Sequence, residues 1–140
     1  DQLEACRAAW CDVFDPWPEM EALAAEVVAS GCPTWLLSNT DPLHFALLHG
    51  RIPALPRFRG FCLSYELGLM KPDPAFFRAS LARIGCDPGD CLYVDDRADN
   101  VASAASLGIR GVQHRGDVTE VLAFLQEQGA LPVLPGSRRQ

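Results

Sequence analysis

The sequence has no apolar run near the roughly 18 residues that a membrane-spanning helix takes. No basic stretch followed by an apolar one marks a signal peptide, so a cytoplasmic location and no membrane partner are expected. Positive charge is scarce too. Twelve Lys and Arg stand against 18 Asp and Glu, a formal net charge of −6. That argues against nucleic acid as a partner, because such a grip needs basic surface. The pair Arg138–Arg139, in a tail with Pro and Gly, reads as a solvated end. The six cysteines, at 6, 11, 32, 62, 86 and 91, include no Cys-x-x-Cys, and no His follows at zinc-finger spacing. Cys62 and Cys91 lie in apolar runs, so reduced, buried thiols are expected, with a disulfide framework as the alternative.

What is present alternates. With 140 residues, nearly half of them apolar, the chain can build one domain with a core. "PEMEALAAEVVASG" reads as a helix with Pro18 in its first turn and Gly31 as its stop. "TWLLSN" reads as a buried strand, and "DPLHFALLHG" as a helix ending near Gly50. "RIPALPRFRG" reads as loop and "FCLSYELG" as strand. "DPAFFRASLARIG" is a helix with Asp73 as N-cap, Pro74 at its first position and Gly85 as its stop. "CLYV" and "GVQH" are further strands, with the small-residue helix "NVASAASLG" between them. "DVTEVLAFLQEQG" closes as an amphipathic helix with Val118, Val121, Leu122 and Leu125 on one face. Short apolar strands separated by helices predict an α/β fold with a parallel sheet, whose ligands bind beyond the carboxyl ends of the strands. "SNT" and "DDRADN" both fall there.

Asp95 and Asp96 are adjacent carboxylates at a strand end. They suit a hard cation such as Mg²⁺, or equally an acidic pair at a helix N-terminus. Asn100 reads as the N-cap of that helix. Ser38 and Asn39 offer a hydroxyl and backbone N–H groups to an anion, or are ordinary loop chemistry. Lys71 precedes a stiff Pro-Asp-Pro turn and could neutralise a phosphate, or be a surface lysine. His44 and His49 read as surface or core residues of their helix. Trp10, Trp17 and Trp35 read as packing residues.

Taken in chain order, "WLLSNT", "GLMKPDPAFF" and "LYVDDRADN" together resemble the haloacid dehalogenase-like (HAD) hydrolase superfamily, and most its small capped phosphatases. The resemblance runs from about Trp10 to Gly129. It implies a Rossmann-like three-layer sandwich around a parallel sheet. It implies that Ser38 and Asn39 bind a phosphoryl group and that Lys71 balances its charge. Asp96 would ligate Mg²⁺, Asp95 would support the metal or its waters, and Asn100 would brace the loop. The substrate would be a small phosphorylated metabolite, hydrolysed through an aspartyl-phosphate.

The family's nucleophile lies in an Asp-x-Asp motif ending the first strand, and no such motif precedes "SNT". Asp12 and Asp15 have the wrong spacing. Residues 1–18 resemble instead the end of a helical cap and its linker, with the core at 19–131 and a flexible tail at 132–140. On this reading the core is incomplete and the chain by itself is inactive. The middle strand, between those carrying "SNT" and "DDRADN", is missing, and two open edges invite self-association. The alternatives are a 2-haloacid dehalogenase-type hydrolase, which needs no metal and typically lacks the paired acids, and a non-catalytic binding domain.

Overall fold

The computed structural model describes residues 7–11, as backbone, and 18–132. Asp12, Asp15, Trp17 and the expected tail from residue 133 onward lie outside the described residues. Five parallel strands form one sheet: β1 (Arg7–Cys11), β2 (Thr34–Ser38), β3 (Gly60–Leu63), β4 (Cys91–Asp95) and β5 (Arg110–Gln113), in the order β3-β2-β1-β4-β5. The helices are α1 (Pro18–Ala29), α2 (Pro42–Arg51), the single turn α3 (Ser64–Leu67), α4 (Pro74–Ile84), α5 (Ala98–Ser106) and α6 (Val118–Glu127).

The sheet is buried on both faces, which is why its strands read as unbroken apolar runs. In β4, Leu92 and Val94 face a core with Met20, Leu23, Ala24 and Val27 of α1 and Val121 and Leu125 of α6. Cys91 and Tyr93 face the opposite core, with Phe76, Phe77 and Ile84 of α4 and Ala104 of α5. Helices on both faces of one sheet give the three-layer α/β sandwich. The Trp35 ring of β2 lies over Gly60 of the end strand β3, in the space a Cβ there would fill.

The slot expected to stand open is filled. β1 pairs with β2, Trp10 opposite Leu36, and with β4, Trp10 opposite Val94. Its sequence "RAAWC" is apolar after the first residue, as a strand between two apolar neighbours must be. This corrects the expectation of a missing middle strand and two open inner edges, and self-association loses that basis. "FCLSYELG" is a second correction: the strand stops at Leu63, and Ser64–Leu67 turns once as helix before Gly68 in left-handed conformation. "RIPALPRFRG" holds a 3-10 turn at Leu55–Arg57. The remaining boundaries agree within a residue or two, α5 starting at Ala98 ahead of Asn100. Asp73 caps α4 by accepting from the Ala75 N–H, and Gly85 ends it with φ of 74°.

Cys62 and Cys86 are free thiols, and Cys32, Cys62 and Cys91 are buried. Among the described residues, no helix is long and apolar enough to cross a membrane.

Candidate active site

The strand order reverses between β1 and β4, since β2 and β3 lie on one side and β4 and β5 on the other. Such a switch point opens a crevice at the carboxyl ends of the strands. Ser38 ends β2, Asp95 ends β4, and Lys71 reaches in from the turn before α4. The structure brings together all six residues singled out from the sequence.

Lys71 Nζ donates to the Leu37 carbonyl at 2.9 Å and to Asp95 Oδ2 at 3.3 Å. Its backbone is clasped by Asn39: the Lys71 N–H donates to Asn39 Oδ1 at 2.9 Å, and Asn39 Nδ2 donates to the Lys71 carbonyl at 3.0 Å. The Lys71–Pro72 peptide is cis. Asn100 Nδ2 donates to Asp95 Oδ2 at 3.0 Å. Asn100 therefore does not cap α5. Arg97 holds the cap position, and the Asn100 side chain turns inward from the first turn because a buried carboxylate is there to accept it.

Asp95 is held entirely by the protein. Oδ2 also accepts from the Tyr93 hydroxyl, and Oδ1 accepts from the Arg97 N–H at 2.9 Å. Three protein donors crowd Oδ2 and one reaches Oδ1. Burial pushes its proton affinity up, but Lys71, Tyr93 and the Arg97 N–H outweigh burial and hold the carboxyl below the usual aspartate range. Asp96 is the opposite case. Burial first, then the neighbouring Asp95, push its carboxyl above the usual range. Yet its side chain is exposed. The two adjacent carboxylates thus sit in two environments: Asp95 is buried among protein donors, and Asp96 is open to solvent.

Access is narrow. Ser38 is 0% exposed, Lys71 5%, Asp95 1% and Asn100 3%, while Asn39 is half-buried. Among the described residues there is no cluster of three or more His, Cys, Asp or Glu fit to hold a metal. Mg²⁺ needs fewer: it commonly takes one or two carboxylates, several waters and a substrate phosphate. The open Asp96 fits that donor set, and the buried Asp95, already holding four protein donors, fits it less well.

A family model of haloacid dehalogenase-like hydrolases matches residues 3–108. The chain belongs to that family. It is 32% identical over 123 residues to the plasmid protein CbbY of Cupriavidus necator, a match covering 84% of this chain and 46% of that protein. It is 36% identical over 98 residues to the phosphoserine phosphatase of Thermus thermophilus, covering 69% of this chain and 39% of the enzyme. The chain thus spans less than half the length of these relatives. A crystal structure of a Corynebacterium glutamicum protein superposes with a TM-score of 0.77 at 26% identity, covering 92% of this chain and 98% of that one. A HAD family enzyme of Bacteroides thetaiotaomicron, crystallised with magnesium and inorganic phosphate, superposes with a TM-score of 0.65 at 25% identity, covering 76% and 57%.

Two residues of this HAD-type site escaped the sequence reading. Tyr93 passed as one more apolar residue of "CLYV", although it stands two before Asp95 and so on the same strand face. Ser64 Oγ accepts from the Thr40 N–H at 2.9 Å and donates to the Thr40 carbonyl at 3.0 Å, fixing the loop after Ser38. Nothing in "LSYE" signals that. His44, which pairs with Asp41 at 2.5 Å, is an exposed residue of the first turn of α2. His49 packs edge-on to Phe61.

Proposed function

We propose that this is the core of a Mg²⁺-dependent phosphatase acting on a small phosphorylated metabolite. The reading is carried by one juxtaposition: a buried lysine beside a fixed anion, next to an exposed carboxylate of raised proton affinity, at the sheet's switch point. Phosphoryl transfer is mostly positioning and charge stabilisation, and these residues supply both. Lys71 offers positive charge in a low-dielectric site, where it acts strongly at short range. Asn39 holds the lysine's backbone in place. Asp96 would hold Mg²⁺, which when bound neutralises phosphoryl oxygens. Ser38 would hydrogen-bond the phosphoryl group once that group has entered. No Asp-x-Asp motif precedes Ser38 in the sequence, so this chain by itself is expected to bind rather than turn over.

The phosphatase relatives and the phosphate-bound neighbour support this reading over a 2-haloacid dehalogenase. So does the exposed second carboxylate at Asp96. The test is calorimetric titration of inorganic phosphate into this chain with and without Mg²⁺, alongside hydrolysis of an aryl phosphate. Mg²⁺-dependent phosphate binding that disappears in Lys71→Ala is the expected result. Phosphate binding indifferent to both metal and lysine would sink the reading and leave a non-catalytic binding domain.

A further inference from the structure

We propose that Tyr93 is a positioning residue that holds Asp95 off Lys71 and so keeps the ammonium available to an oxyanion; the functional half of this rests on the phosphatase reading. Three donors converge on one oxygen, Asp95 Oδ2: Lys71 Nζ, Tyr93 OH and Asn100 Nδ2. One oxygen offers about two lone pairs, so the three compete. Charge alone would put the ammonium closest, since charge-assisted N–H···O bonds run about 2.7–2.9 Å. The reverse is seen. The Lys71 contact is the longest of the three at 3.3 Å, and the neutral phenol and the Asn100 amide both stand closer.

The phenol cannot give way. Tyr93 is 1% exposed, and its ring packs edge-to-face on Phe77, with centroids 5.3 Å apart. Nor can the carboxylate rotate to offer its other oxygen, because Oδ1 is tied to the Arg97 N–H. Lys71 has three N–H donors. Leu37 O takes one, Asp95 takes one at long range, and the third has no acceptor among the described residues. A phosphoryl oxygen would take that third donor and pull the ammonium from a contact already stretched. Without the phenol, Asp95 would close on Lys71 and the oxyanion would have to break a full ion pair.

Tyr93→Phe tests this, because it deletes the hydroxyl and keeps the ring against Phe77. Two measurements are made on the full chain: a crystal structure of the variant, and titrations with Mg²⁺ alone and with inorganic phosphate in saturating Mg²⁺. The expected structure has Lys71 Nζ within about 2.9 Å of Asp95 Oδ2. The expected phosphate affinity is about threefold to tenfold weaker, the worth of one hydrogen bond, with Mg²⁺ affinity unchanged because Asp96 is untouched. A Lys71–Asp95 contact still at its original length overturns the proposal. So does an unchanged phosphate affinity, or a parallel loss of Mg²⁺ and phosphate binding, which is what a merely structural tyrosine would give. If the unaltered chain binds no phosphate, the phosphatase reading fails, and the Lys71–Asp95 distance in the variant decides the positioning role.

Discussion

Asn39 and Lys71 are joined by two reciprocal hydrogen bonds, side-chain amide to backbone N–H and carbonyl, across 32 residues of sequence. This clasp ties the loop after β2 to the turn before α4, the two segments that would meet a phosphoryl group. Asn39→Ala removes both bonds and leaves the N–H of a buried residue without its partner. We expect a loss of about 1–3 kcal/mol in urea unfolding, the cost of orphaned backbone groups. Phosphate affinity should fall with it, since Lys71 would no longer be held. A variant of unchanged stability would show that water replaces the clasp at no cost.

The Lys71–Asp95 pair is buried on both sides, with side chains 2% and 1% exposed. Breaking such a pair from one side strands a charge. Lys71→Met alone and Asp95→Asn alone should each cost about 3–5 kcal/mol, by urea unfolding at neutral pH. The double variant should recover much of that, because neither charge is left and the remaining groups are neutral donors and acceptors. Costs that simply add in the double variant would mean the two residues do not act as a pair.

Asp96 carries the opposite expectation. Its carboxylate faces Asp95 and takes no stabilising donor strong enough to offset that neighbour and its own partial burial. Asp96→Asn should therefore raise the stability of the metal-free protein slightly, by less than about 1 kcal/mol given its solvent exposure. The same change should abolish Mg²⁺ binding, read by calorimetry. A residue that lowers stability while improving ligand binding is the usual signature of a functional site. A destabilised Asp96→Asn would instead give it a structural role.

Much of this was legible in the sequence, and the reasons are local. Asp73-Pro74 before an apolar period and Gly85 after it mark α4 by chemistry that acts within one turn. The parallel sheet followed from apolar runs such as "CLYV", which only a strand covered on both faces needs. Ser38, Lys71 and Asp95 were found because their runs have a recognisable order. The central strand was not found. "RAAWC" is five residues with no turn signal of its own, and what defines it is pairing with β2 and β4, which no local pattern records. Tyr93 and Ser64 were missed for the same reason: their roles depend on partners brought near by the fold. The resemblance already gave Asp96 the metal and Asp95 a supporting part; what it did not show is that Asp95 is buried among Lys71, Tyr93 and Asn100, because those partners come from elsewhere in the fold.

That division predicts a two-sided pH dependence. Asp95 lies below the ordinary aspartate range in the folded protein. As pH falls, the unfolded chain takes up its proton first, so the contribution of Asp95 is full above about pH 4 and is lost as pH drops through its folded value. Asp96 lies above the ordinary range. The folded protein takes up that proton first, so stability rises as pH falls through the raised value and levels off near the ordinary one. The urea midpoint of the metal-free protein should therefore climb slightly from neutral to mildly acidic pH, then fall below about pH 4. Asp96→Asn should erase the climb and leave the fall. Asp95→Asn should start from a lower midpoint and flatten the fall. Mg²⁺ opposes the proton at Asp96, so adding it should shift the optimum back toward neutrality. A midpoint that declines steadily from neutral pH, with no climb for Asp96→Asn to remove, would mean that the second carboxylate is not pushed up by the first.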